Sequence, residues 1–182
     1  MEKSVQLEEK NYKDWPFFYT IQVHAPTRTR QLKLWNELVL QYAQSKEAYS
    51  VGFDDLLEST VCVNAKINRR LSREGLRAVL TYMVSIETAE YVTEAQDRVF
   101  IFFKSLQGLA EGTYKWADRT GRIGSVEAVL DMCLEEEFKD EVFYKVPIEV
   151  LLKALRLLEK EGKAQVFYSD NTDSYGVKFF HI

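Results

Sequence analysis

Pro147-Ile148-Glu149-Val150-Leu151-Leu152-Lys153-Ala154-Leu155-Arg156-Leu157-Leu158-Glu159-Lys160-Glu161-Gly162 is the clearest helical stretch of this chain, and the strand pattern after it sets the fold. Leu151, Leu152, Leu155 and Leu158 recur at the i, i+3, i+4 spacing that lays one apolar stripe along a helix. Proline is tolerated in a first helical turn and glycine is favoured just beyond a last one, so Pro147 and Gly162 bracket the helix. Ala164–Tyr168 and Gly176–Phe180 then read as two strands around the turn-forming residues Ser169–Ser174. Working back, Ser105 to Thr120 reads as a helix stopping near Gly121. Ser125-Val126 reads as a short strand, and Ala128 to Leu134 as a short helix.

The same order occurs once before. A helix from about Thr27 to Ser45 carries Leu32, Trp35, Leu38, Val39 and Tyr42 on one face, with Thr27 as its N-cap behind Pro26. A β-like piece follows at Tyr49-Ser50-Val51. Asp54 and Asp55 suit the first turn of a short helix through Leu56 and Leu57. Ser72 opens a helix striped by Leu76, Val79, Leu80 and Met83. Ala89–Val92 and Val99–Phe103 make strands around Thr93–Asp97. At an offset of 75 positions Ser50-Val51 falls on Ser125-Val126, Glu74 on Glu149, Leu76 on Leu151, Leu80 on Leu155 and Ala89 on Ala164. Helix, short strand, helix, helix, hairpin is the winged-helix order. The predicted fold class is α+β: two tandem winged-helix domains, each with three helices and a β-hairpin, behind an extended N-terminal arm. The predicted limits are 1–26 for the extension and arm, 27–104 for the first domain and 105–182 for the second. Phe103-Lys104-Ser105 is too short for a flexible tether, which predicts rigid packing of the two modules.

Composition sets bounds on function. The chain has 182 residues, 46% hydrophobic and 29% charged, as expected of a folded protein. No apolar run approaches the ~18 residues of a membrane span. The charged N-terminus lacks the apolar core of a signal peptide. Cys62 and Cys133 each sit alone among apolar neighbours, which reads as buried thiols in a reducing, cytosolic compartment. Residues 1–104 carry 14 basic and 14 acidic side chains, and residues 105–182 carry 10 and 14. Neither half has the positive excess that phosphate-dominated nucleic-acid binding requires.

No catalytic constellation appears, and no cofactor or metal is predicted. His24 and His181 lie near the chain ends, and with two isolated cysteines there is no zinc spacing. Nucleotide-binding glycine loops and a nucleophile elbow are absent. The run Glu135-Glu136-Glu137 with Asp140 and Glu141 lacks the alternating ligands and central glycine of a calcium loop, and reads as a solvated loop. If the third helix begins early, Arg69, Arg73 and Arg77 share a face at i, i+4 intervals. A DNA-binding winged helix places that helix in the major groove, so nucleic-acid binding is the alternative reading. Glu74, Glu87 and Glu90 weigh against it.

Ahead of the first helix stands Trp15-Pro16-Phe17-Phe18-Tyr19-Thr20. Proline fixes φ and biases its neighbour to extended backbone, so the run reads as a strand or polyproline-like arm. Its rings either dock in an aromatic-lined groove on another chain or fold back over their own domain.

Tandem winged helices behind an aromatic-proline arm resemble one family, the smallest subunits of the ESCRT-II endosomal sorting complex, of the vacuolar protein sorting group. Trp15–Thr20 with Gln22 is similar to that family's Pro-Pro-x-aromatic-Thr segment, with Phe17 at the second proline's position. Thr27-Arg28, Gln31-Leu32 and Trp35 resemble its helix opening. Tyr114, Trp116, Arg119, Gly121 and Ser125-Val126 resemble the first helix and strand of its second domain, and Gly176–Phe180 resembles its ending. The extension Met1 to Asp14 is longer and more charged than the family's. The resemblance implies a non-catalytic subunit, present twice in a Y-shaped complex with two larger winged-helix subunits. It implies docking on them through Trp15, Pro16, Phe17, Phe18, Tyr19, Thr20 and the first domain. It further implies that the second domain recruits and activates the initiating ESCRT-III subunit, for which Glu111, Lys115, Asp118 and Arg119 are the candidate contacts. The protein would then be cytoplasmic and recruited peripherally to endosomal membranes, with indirect membrane contact and no nucleic-acid partner, in multivesicular-body sorting of ubiquitinated membrane proteins.

Overall fold

A computed structural model describes residues 12–170 and 174–181. Residues 1–11 of the predicted extension and arm, residues 171–173 of the predicted Ser169–Ser174 turn, and residue 182 lie outside it. The chain divides into two compact units at Ile101/Phe102, against a predicted boundary at 104/105, and residues 12–26 belong to the first unit.

In the first unit α1 (Ala25–Ser45) leads to β1 (Ser50–Gly52), α2 (Phe53–Leu57) and a ribbon of β2 (Val63–Asn64) with β3 (Arg69–Arg70). Then come α3 (Arg73–Ser85), β4 (Ala89–Tyr91) and β5 (Arg98–Ile101). β5 is central, with β1 antiparallel on one side (Val51 opposite Val99) and β4 on the other (Tyr91 opposite Val99). Trp35, Val39, Leu56, Leu76, Val79, Leu80, Met83 and Ile101 form its core.

The second unit contains α4 (Leu106–Arg119), β6 (Val126–Ala128), α5 (Val129–Leu134), α6 (Ile148–Lys160), β7 (Ala164–Ser169) and β8 (Ser174–Phe179). Its sheet runs β6-β8-β7, the counterpart of β1-β5-β4. Trp116, Phe143, Val150, Leu151, Leu155, Val177 and Phe179 are buried together in its core. α6 begins 75 residues after α3, at Ile148 against Arg73, and β7 begins 75 after β4, at Ala164 against Ala89. Both units therefore carry the winged-helix order of three helices and a hairpin.

Local chemistry explains the helix limits. Ser72 and Ser105 each accept a hydrogen bond from the backbone N–H three residues on, Gly75 for α3 and Gly108 for α4, at 3.0 Å. Beyond the end of α6 and its C-cap Glu161, Gly162 has φ +73°, a left-handed stop that a residue without Cβ adopts at little cost. α1 begins two residues before the predicted Thr27. Pro26 lies in its first turn, where its missing N–H costs nothing, and His24 is the N-cap residue. His24 Nδ1 and Thr27 Oγ1 share a 2.9 Å hydrogen bond.

Candidate partner-docking site

The arm is neither the strand nor the polyproline-like segment predicted for it. Trp15 and Thr20 have extended backbone, but Pro16–Tyr19 between them close a 3₁₀ turn, with Phe18 N–H donating to Trp15 O. The physical reason is a difference of period. A strand turns successive side chains to opposite faces, whereas this turn brings neighbouring Phe18 and Tyr19 onto the same indole. Phe18 stacks on Trp35 at 4.5 Å and 13°, and Tyr19 meets Trp35 edge-on at 5.7 Å. Tyr12 also meets Phe18, tilted at 46° with ring centres 5.6 Å apart. Phe18 and Tyr19 are 6% and 5% exposed, and burial pushes the Tyr19 hydroxyl pKa up.

The two readings of the rings thus divide the segment between them. Phe18 and Tyr19 fold back and belong to the core of their own unit. Trp15 is 50% exposed and Phe17 81%. Pro16 and Thr20 are exposed as well. Of the six predicted docking residues, four are thus on the surface, with two large aromatic side chains among them.

Polar side chains hold the turn, with Gln31 buried among them. Gln31 Nε2 donates to Phe18 O at 2.8 Å and Thr20 O at 2.9 Å, and its Oε1 accepts from Gln22 N–H at 3.0 Å. Trp35 Nε1 donates to Phe18 O at 3.2 Å. Asn64 Nδ2 and the Tyr19 hydroxyl both donate to Lys13 O. Gln22 Nε2 donates to Phe17 O and Thr20 O, at 3.1 and 2.8 Å.

A family model for ESCRT-II complex subunits matches residues 12–147, from the first described residue of the arm to the threshold of α6. The chain belongs to that family. A relative from Dictyostelium discoideum, vacuolar protein-sorting-associated protein 25, is 31% identical over 180 residues, covering 91% of this chain and 92% of its own length. The crystal structure of subunit VPS25 of the endosomal trafficking complex ESCRT-II superposes with a TM-score of 0.78 at 20% identity, over 92% of this chain and 97% of that one. A second, a subunit chain in the crystal structure of the endosomal complex of VPS22, VPS25 and VPS36, gives 0.76 at 20% identity, over 91% and 96%. At such identities these structures speak for the fold, which is the tandem winged helix.

The remaining candidate residues of this ESCRT-II subunit lie on α4 and around α3. Glu111, Lys115, Asp118 and Arg119 are all exposed on α4. Arg119 pairs with Glu141 at 2.7 Å, and Glu111 accepts from Gln107. The basic face proposed for α3 does not form. Arg69 and Arg70 lie in β3, paired with Asn64 and Val63, and Asn68 before them is left-handed at φ +50°. Ser72 caps the helix and keeps Arg69 off it. Arg73 pairs with Asp54, Arg77 donates to Gln96 at 3.2 Å, and both guanidinium groups sit 5.0 Å from the centre of the Phe53 ring. Cation–π and ionic partners within the unit account for these charges.

The acidic stretch is partly ordered rather than a plain loop: Glu136–Phe138 form a 3₁₀ turn, and buried Phe138 packs on Trp116 and Phe143. Among the described residues, no three His, Cys, Asp or Glu side chains group so as to hold a metal ion. No described helix is long and apolar enough to cross a membrane. Sequence reasoning reaches Gln31 only within a family motif and does not reach Asn64 at all. A lone glutamine in an amphipathic helix gives no local signal that its amide faces another segment.

Proposed function

We propose that this chain is a non-catalytic ESCRT-II subunit that docks on the two larger winged-helix subunits through its N-terminal arm and first domain. The observation carrying this is Phe17, a large apolar side chain standing in solvent on a backbone fixed by hydrogen bonds. Burying such a ring is worth about 2 kcal/mol, and leaving it exposed gives the isolated fold nothing in return. Trp15 stands beside it in sequence, with half its surface open, so two aromatic anchors are offered to a partner. Phe18 and Tyr19 support this presentation from below instead of entering the partner. In the related solved complex the partners are VPS22 and VPS36, and the corresponding subunits are the partners proposed here. Two copies of the chain per complex, recruitment of the initiating ESCRT-III subunit through α4 of the second unit, and peripheral action at endosomal membranes complete the reading.

The test is co-purification of the full chain with the VPS22- and VPS36-type subunits of its own organism. Trp15→Ala/Phe17→Ala should lose most of the complex while its circular dichroism and unfolding midpoint stay near the parent's. Aromatic anchors of this kind are worth on the order of 2 kcal/mol each in binding, roughly thirtyfold in Kd. Undiminished complex would overturn the docking reading.

A further inference from the structure

Gln31 is a polar side chain only 6% exposed, one helical turn from Trp35 on the same face of α1. Burial of an amide is tolerated only when its hydrogen-bonding groups are engaged. Both Nε2 hydrogens and the Oε1 acceptor are used here, and all three bonds end on one five-residue piece of backbone, at Phe18, Thr20 and Gln22. Gln22 passes the restraint on, because its own side chain donates to Phe17 O and Thr20 O. Phe17 O accepts further from Thr20 N–H at 3.3 Å. The backbone of the most exposed aromatic residue in the arm is thus tied through Gln22 to a buried helical amide.

From this geometry we infer that Gln31 is a positioning residue for docking: it sets the arm in its binding conformation before the partner arrives. The inference rests on the docking reading above. An arm that must be ordered on binding loses affinity to the entropy of that ordering, and a pre-ordered one does not. An apolar residue at position 31 could pack on Trp35 equally well. What glutamine adds is hydrogen bonding to a segment whose exposed ring does nothing for its own fold. Gln31 touches no partner in this arrangement; it acts through Phe17.

A double-mutant cycle separates positioning from a general structural role. Kd is measured for the full chain against the complex of VPS22- and VPS36-type subunits, with Gln31→Leu, Phe17→Ala and the two combined. Leucine keeps most of the volume and removes all three bonds. Gln31→Leu should weaken binding about tenfold by itself. In the Phe17→Ala background it should add no more than about twofold, because the ring it positions is gone. Gln22→Leu, at a half-buried site where folding is not threatened, should show the same non-additivity with a smaller loss, about threefold. A Gln31→Leu loss that is fully additive with Phe17→Ala overturns the inference, as does wild-type affinity in both glutamine variants while Phe17→Ala binds weakly. Wild-type affinity in Phe17→Ala would instead remove the docking role of Phe17 itself, and this inference with it.

Discussion

Phe17 and Phe18 are neighbours of identical chemistry, 81% and 6% exposed, and the 3₁₀ turn that carries them sends one ring to solvent and the other onto Trp35. Substitution should therefore separate them. Phe18→Ala removes a buried ring in contact with Trp35 and Tyr12, and a core phenylalanine truncated to alanine costs about 3–5 kcal/mol. Phe17→Ala removes a ring that touches solvent, and surface changes of that sort stay within roughly 0.5 kcal/mol. Urea unfolding of the full chain, followed by tryptophan fluorescence, measures both. Comparable destabilisation by the two would show that the turn does not divide its rings between core and solvent. Under the proposed docking, lost complex in a Phe18 or Tyr19 variant would report on folding of the first unit, whereas lost complex in a Trp15 or Phe17 variant would report on contact.

Among the elements, the long helices and the two hairpins are readable because their signals are local. The Leu151, Leu152, Leu155, Leu158 stripe of α6 and the Leu76, Val79, Leu80, Met83 stripe of α3 each lie within one stretch, and Ser72, Ser105 and Gly162 punctuate them. The features that escape such reading are those decided elsewhere in the chain. The arm turns because Gln31 and Trp35 collect its carbonyls, 11 to 17 residues away. The β2–β3 ribbon has two residues per strand, too few for any period, and it withdraws Arg69 from α3. α4 is the element whose surface role is still proposed, and its charges suggest how to test it. Glu111, Lys115, Asp118 and Arg119 lie on its exposed side, but Glu141 already neutralises Arg119, so Glu111 and Asp118 outweigh Lys115 in the remaining charge. The acidic turn at Glu136 and Glu137 belongs to the same unit. That balance suits a basic helix as ligand, as in the ESCRT-III reading. Glu111→Lys/Asp118→Lys should weaken binding of the full chain to the initiating ESCRT-III subunit by about tenfold at roughly 50 mM salt, with a smaller loss at about 300 mM as screening sets in. Equal binding by parent and variant at both salt concentrations would move the site off α4.

At the scale of the whole molecule, each unit buries one thiol, and this couples both to pH. Cys62 in the first unit is 0% exposed and Cys133 in the second 2%. Burial disfavours the thiolate and pushes both from 9.0 to about 12, with Glu149 adding to the effect at Cys133. A folded-state pKa above the unfolded one gives stability that is complete below about pH 9 and is lost as pH rises toward about 12, because the unfolded chain releases a proton that the folded one keeps. At about pH 10 the loss is about 1 kcal/mol per thiol, since one pKa unit is worth about 1.4 kcal/mol. Buried Tyr49, raised from 10.0 to about 12 by desolvation, adds to the alkaline loss in the first unit only above its ordinary value of 10.0. For domains of this size a loss of about 1 kcal/mol moves Tm by about 4–8 °C. Calorimetry between about pH 8 and pH 10 should therefore show a steeper fall in Tm for the parent chain than for Cys62→Ala/Cys133→Ala. The alanine cavities lower the whole curve of the variant without changing its slope, so parallel curves would mean that the two thiols do not carry the pH dependence.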